Sequence, residues 1–416
     1  MAATGAVVAI AAGCTVVAGG AGSPSGTVAT PAVASGAART AVPTGTAVPG
    51  TAASGQSGTS VAPAVLARIT EQANWILQAQ LPGGALASEP IPSWSTTIRI
   101  FPYLSNYGAI GLARATSVTG DAAYATAAWR WLAWYASQEL PGSGVVQDST
   151  VANGAAGSVT SLGQEDSTDA YAGTFLLAAY DTEQADPSSA DLSALAPGIA
   201  GAVRAIELTL QPDGMTWAKP SWQVAYLMDL AETCAGLRAA ASLATDLGNS
   251  TLAARASADA ASMTAAIGGL WRPATGSFAW AAFPSGYTQS ANLVDLYPDT
   301  MEQLWPLAFG EATPAQSTTV LQAVAAHQPA WDQPDATATD DGSASPQQVG
   351  YWPLGAWAAE VSGNVSAGEQ QAAQIWQTAQ SHQGWPYTVA DAGELIVAES
   401  GGPTLAPATA TATSAS

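Results

Sequence analysis

GQEDSTDAYAGTFLLAAY, residues 163–180, sets three carboxylates directly before an apolar run in a chain where only 10% of residues are charged. Read as a helix start, Asp166 serves as N-cap and Asp169, three residues later, supplies the acidic partner of a near-capping box. The run continues through Tyr171, Phe175, Leu176, Leu177 and Tyr180 with Ala and Gly between them. A helix that is apolar all round belongs inside a protein. Its acidic end therefore opens from a buried element into solvent or into a pocket.

Working outward from this stretch, the chain repeats itself. A helical run ending at or near Gln meets a Pro/Gly turn at Gln80, Gln138, Gln211, Gln328 and Gln383, and WRPATGSFAW, residues 271–280, fills the same place without the Gln. The units lie roughly 60 residues apart, a period long enough for two helices each. In every unit a first helix ends at the turn, a long loop follows, and a second, more apolar helix comes after it. The second helices are expected to begin near Tyr103, Thr168, Ser221, Pro298, Gln347 and Asp391. The first helices carry more charge along one face, with Arg255 and Asp259 spaced as an i,i+4 pair.

Six helical hairpins with long loops before the inner helices resemble the (α/α)6 toroid of the six-hairpin glycosidases and several polysaccharide lyases. The resemblance is one of architecture and covers nearly all of residues 61–400. The Gln-turn pattern is also similar to the QW repeats of terpene cyclases. Those need a DxDD or DDxxD run, whereas Asp340-Asp341 is followed by Gly342-Ser343-Ala344. What the resemblance implies is an all-α toroid whose inner helices point their N-termini at one mouth, with function gathered there.

Four of the six expected starts carry acids: Glu165, Asp166 and Asp169; Asp295, Asp299 and Glu302; Asp340 and Asp341; Asp391 and Glu394. Capping and the helix dipole alone favour acids in first turns, so each has a structural reading beside the catalytic one. Acids concentrated at one mouth suit general acid and base catalysis on a glycosidic bond. Pairs three apart on one helix stand about 5–6 Å apart at Cβ, closer than an inverting enzyme needs, so a pair across the mouth fits better. The expected catalytic set is Asp166, Asp169, Asp299 and Glu302. A carboxylate held ionised at a helix N-terminus suits a base, which points to Asp166 or Asp169; Glu302, beside Asp299 and Trp305, is the expected acid.

Tryptophans in the loops or at inner-helix starts would face the same mouth and could stack on sugar rings, whereas those on outer helices read as core. Trp217, Trp222, Trp280, Trp352 and Trp385, with Arg99, Tyr103 and Lys219, form the expected substrate-binding set. Trp94, Trp271 and Trp331 share the loop placement. His327 and His382 are the only histidines and keep no ligand spacing with Cys234, so no metal and no cofactor are expected. No GxSxG elbow, P-loop or dinucleotide fingerprint stands in a fitting context.

Thirty-one acidic residues against 10 basic ones give a net charge of −21, with Lys219 the single lysine. Such a surface repels nucleic acid and anionic headgroups. Residues 15–60 and 401–416 are low-complexity stretches of mostly small residues and Pro that cannot bury a core, and read as a tether and a disordered tail. GAVVAIAAGC, ending at Cys14, resembles the lipobox of a bacterial lipoprotein, without the Lys or Arg of a secretory n-region. Residues 1–14 are thus expected to be a signal segment with Cys14 lipidated. The protein is then exported, monomeric, and membrane-bound only through that anchor. Cys234, inside a helical run, reads as a small buried hydrophobe.

The expected activity is glycoside hydrolysis of a neutral poly- or oligosaccharide by carboxylate acid/base catalysis, with the inversion common among toroid glycosidases. Two alternatives stand beside it. A lyase or epimerase on the same fold would need a tyrosine or histidine base and an arginine, which Tyr103, Tyr107 and Arg99 could supply. A carbohydrate-binding surface lipoprotein would keep the toroid without catalysis.

Overall fold

Six outer and six inner helical segments alternate along the chain in a computed structural model that describes residues 61–91, 95–152, 158–328, 353–382 and 387–402. The outer helices are α1 (Pro63–Gln78), α3 (Ala122–Ser137), α5 (Ser189–Glu207), α7 (Ser250–Gly269), α9 (Pro314–His327) and α11 (Val365–His382). The inner ones are α2 (Pro102–Thr119), α4 (Thr168–Ala185), α6 (Leu227–Asp246), α8 (Trp305–Ala308) with the turns before it, α10 (Pro353–Val361) and α12 (Val389–Glu399). Burial separates the two sets. On α7 only Leu252, Ala256, Ala260, Met263, Ala266 and Ile267 are buried, one stripe of a two-sided helix, whereas α4 is buried without a break from Thr168 to Thr182.

The inner segments close a ring. α2 packs on α4, α4 on α6, α6 on α8, α8 on α10, α10 on α12, and α12 returns to α2. Glycine permits the tightest of these contacts. A Cβ on Gly236 of α6 would stand 2.3 Å from the Gly173 carbonyl oxygen of α4, and one on Gly393 of α12 would stand 2.1 Å from the Tyr107 carbonyl oxygen of α2. The described residues between 61 and 402 thus form the expected all-α toroid. The tail regions 1–60 and 403–416, with Cys14, lie outside the described residues.

Several boundaries differ from expectation. The N-cap of α4 is Ser167, whose side chain accepts from the Ala170 N–H, so Asp166 precedes the helix and Asp169 sits at its second position. The third inner helix begins at Leu227 and not near Ser221, because Ala225–Tyr226 is drawn into a strand. The fourth is broken. Pro298 and Pro306 interrupt it, Tyr297 is extended (φ −113°, ψ 135°), and only a 3-10 turn, Met301–Leu304, leads into α8. Arg255 reaches across to Glu207 of α5 at 2.6 Å and, against the raising effect of burial, also lowers the pKa of Asp259 of its own helix through its charge.

The loops before the inner helices also hold two small antiparallel sheets that hydropathy did not reveal. β1 (Thr97–Ile100), β2 (Ser149–Ala152) and β3 (Val159–Ser161) lie side by side, joining the approaches to α2 and α4. β4 (Ala225–Tyr226) pairs with β6 (Ser277–Ala282), which also pairs with β5 (Trp271–Arg272) and β7 (Thr288–Ser290). Each sheet therefore clasps two neighbouring units at the end of the ring where the inner helices begin.

Candidate active site

The first turns of α4 and α6 converge on one hydroxyl. Ser167 Oγ lies 2.5 Å from Asp169 Oδ1 and 3.0 Å from Asp229 Oδ2, so the two carboxyl oxygens stand within about 5.5 Å of each other, the sum of those distances. Asp169 Oδ1 also accepts the Ala170 N–H at 2.9 Å. Both carboxyls are buried. Burial pushes Asp169 up to about 6 against the lowering effect of the Ser167 hydrogen bond. Asp229 is held well above the usual carboxylate range, by burial first and then by the charges of Asp169, Glu232, Glu302 and Asp166.

One turn deeper, Glu232 ties three inner segments together. Its Oε1 accepts from the hydroxyls of Tyr103 (2.7 Å) and Tyr107 on α2 and from Trp305 Nε1 on α8. Burial pushes Glu232 up to about 7 in spite of these three donors. Glu302, in the turn before α8, uses Oε2 to accept the Leu227 N–H at 3.0 Å and, more weakly, the Met228 N–H at 3.4 Å. It thereby caps α6 from a neighbouring unit, and burial raises it well above the usual range. Glu394 of α12 is half-buried and stands well above that range through burial, Asp391 and Glu232. In the closed ring α12 is three places from α6 in either direction, and Glu394 feels the charge of Glu232 on α6.

The wall beside α4 holds a second acidic group. Asp148, at the start of β2, accepts from the Tyr171 hydroxyl at 2.9 Å, and burial places it at about 6. Asp166 also stands at about 6, raised by burial and by Asp148 and lowered by Lys219. Lys219 Nζ donates to the Glu165 carbonyl oxygen at 2.9 Å. Near α6, Trp222 Nε1 donates to the Tyr226 hydroxyl at 2.9 Å, and Tyr226 stacks on Trp280 with centroids 6.1 Å apart and planes 7° apart.

No protein-family profile matches this sequence, and no curated protein does so significantly. Solved structures do match. A GH63 mannosylglycerate hydrolase from Thermus thermophilus, in complex with glucose, superposes with a TM-score of 0.56 at 11% identity, covering 79% of this chain and 98% of its own. A wild-type glycosidase gives 0.56 at 15% identity over 82% and 98%. A glycosidase variant in complex with glucose gives 0.54 at 15% over 82% and 99%. The chain has the fold of the (α/α)6 toroid glycosidases.

Within that toroid the expected residues separate. Asp169 and Glu302 share the buried cluster around Asp229, Asp166 borders it, and Tyr103 and Lys219 reach its edges. Asp299 does not enter it, because the broken helix turns its carboxylate onto the Asn292 N–H at 2.6 Å. Asp391, noted among the mouth acids, is a capping partner, accepting the Thr388 N–H while Thr388 accepts the Asp391 N–H. Burial raises Asp166 and Asp169 to about 6, against the lowering that a helix N-terminus would give. Arg99 is exposed on β1, where its neighbours Ile98 and Ile100 are the buried residues. Trp217 is half-buried, and Trp94, Trp331, Trp352 and Trp385 lie outside the described residues, as do Asp340 and Asp341.

Asp229 and Glu232 were not anticipated. With a helix start at Ser221 they fall two to three turns inside; with the actual start at Leu227 they occupy its first two turns. Among the described residues no group of His, Cys, Asp and Glu has a metal-binding arrangement, and no helix is long and apolar enough to cross a membrane.

The buried acids set the direction of the pH response. Asp148, Asp166, Asp169 and Asp391 stand at about 6, Glu232, Glu360 and Glu399 at about 7, and Glu139 at about 8, all above their ordinary values. The native state therefore binds more protons than the unfolded chain, and unfolding free energy falls as pH rises. Thermal denaturation followed by circular dichroism should give a higher Tm at pH 5 than at pH 8, the reverse of a protein stabilised by ionised carboxylates. A Tm that rises between those values would show that the cluster is charged in the fold.

Proposed function

We propose that this protein is a glycoside hydrolase acting on a neutral poly- or oligosaccharide. The Asp169–Asp229 pair donates the proton, and an opposing carboxylate in its ionised form activates water. The observation that carries this reading is the pair of carboxyls joined by one hydroxyl at the first turns of adjacent inner helices. Crowded, buried acids cannot all ionise, so the site retains a proton at neutral pH, as a general acid requires. Glu394 is less buried than the pair and stands three helices away.

Further features support hydrolysis of a neutral glycoside. Asp229 and its four acidic neighbours would repel an anionic polymer. Trp222 and Trp280, held through Tyr226 between them, offer aromatic surface beside α6 for a sugar ring. The lyase alternative is weakened at its base, because Tyr103 and Tyr107 both donate to Glu232 and are held well above the usual tyrosine range by burial and that charge. The test is product release from a panel of neutral di- and oligosaccharides, a uronate polymer, and mannosylglycerate, for which one structural neighbour is named. Free sugar with an inverted anomer by NMR supports the reading; an unsaturated uronate product supports the lyase. Binding without any release supports a carbohydrate-binding protein.

We likewise propose export as a lipoprotein anchored at Cys14 and tethered through residues 15–60. Palmitate labelling should disappear in Cys14→Ser, and labelling that survives would exclude that anchor.

A further inference from the structure

Ser167 Oγ has three polar neighbours and one proton. It accepts the Ala170 N–H at 3.3 Å as the cap of α4, and it lies within hydrogen-bond distance of Asp169 and of Asp229. A hydroxyl donates once and accepts twice. Donation to both carboxylates is therefore excluded, and one acid must itself carry a proton and donate to Ser167. The shorter contact, 2.5 Å, runs to Asp169 Oδ1, which already accepts the Ala170 N–H and so behaves as an acceptor. The longer contact, 3.0 Å, is left for Asp229 Oδ2 as the donor.

We propose that Ser167 is a positioning residue that fixes the pair's single proton on Asp229, with Asp169 ionised and locked onto the serine hydroxyl. The assignment deepens the hydrolase reading, on which its catalytic part rests. In the reaction the glycosidic C–O bond breaks, its electron pair stays on the departing oxygen, and that oxygen takes the Asp229 proton. Water adds hydroxide to the anomeric carbon and gives its proton to the opposing carboxylate.

The groups facing the pair are Asp166 ahead of α4, Tyr103 of α2, Glu232 on α6 itself and Glu302 before α8, with Lys219 beyond Asp166. The three acids among them, Asp166, Glu232 and Glu302, disfavour a second negative charge. The serine bridge then decides where the remaining proton sits and how long it is kept.

Two measurements on the full chain test this. The first does not require activity: the protonated-carboxyl infrared band is titrated from pH 5 to 9. Ser167→Ala should lose one protonated carboxyl about one pH unit earlier than the native chain, the scale of one hydrogen bond to a charged group. Ser167→Thr, which keeps both hydroxyl and cap, should restore the native titration. Ser188→Ala, which removes an equivalent cap from α5, should leave it unchanged. An unshifted Ser167→Ala titration, or a Thr variant that behaves like Ala, overturns the proposal.

The second uses a glycosyl fluoride, whose leaving group needs no proton. Asp229→Asn should hydrolyse it at a rate near that of the native chain while losing activity on ordinary glycosides; an Asp229→Asn variant as slow on the fluoride as on ordinary glycosides would mean that Asp229 does not carry the leaving-group proton. If the native chain hydrolyses no glycoside, the hydrolase reading fails while the infrared result still decides the proton's location.

Discussion

Asp169→Asn is expected to lower turnover of the glycosidic substrate about a thousandfold, the middle of the range for loss of acid–base function, and to leave the fold nearly as stable as before. The two effects separate because the cap of α4 is Ser167 and not Asp166 or Asp169. Asparagine can still accept the Ala170 N–H through its carbonyl oxygen. Its amide takes the place of Oδ2, which is buried without a hydrogen-bond partner in the native chain, so the substitution breaks no existing bond at that atom. Removing the charge also relieves Asp229, which Asp169 helps to hold in its protonated form. The Ser167 hydroxyl is then free to donate to Asp229, which becomes the ionised partner and loses its capacity as a donor. Turnover and chemical denaturation measured on the same preparation check both halves. A variant with lowered stability and native turnover would make Asp169 a structural residue only.

Gly236→Ala and Gly393→Ala should each destabilise the protein by about 3 kcal/mol or more, at or above the upper end of ordinary overpacking costs. In both cases the new methyl meets a backbone carbonyl of the neighbouring inner helix, at 2.3 and 2.1 Å, and no side chain can rotate out of the way. The helices would have to move apart, and in a closed ring that displacement passes to every other contact. Gly268→Ala provides the contrast. It lies on α7 with nothing within 4 Å of the added Cβ, so the lower helix propensity of glycine is the main term, and the variant should gain about 0.5–1 kcal/mol. Urea titrations of the three variants measure the difference; equal midpoints would mean that the ring has slack at its glycine contacts.

The helical order was legible because each unit repeats the same change from a one-sided to an all-apolar helix, and α4 begins at the expected Thr168. Loop structure was less legible. Strands of two to six residues leave little alternation to read, and β4 displaced the start of α6. That displacement hid Asp229 and Glu232. Asp169 and Glu302 could be found as acids at helix starts, but their roles depended on what burial does to them. The Glu302 contact with the α6 N-terminus joins residues about 75 apart, a relation no local pattern encodes.

The seam between α2 and α12 has a consequence for how the molecule is made. The first inner helix finds one of its two ring neighbours only when the last has been synthesised, nearly 300 residues later. Contacts of such sequence separation raise contact order and slow folding. Tyr103 and Tyr107 therefore wait on one side of an open arc while Glu394 is still to emerge. A nascent chain stalled before α12 would hold the acids of α4 and α6 in an unclosed arc, more exposed to water than in the finished ring. Closure of the seam is thus the step that completes the ring.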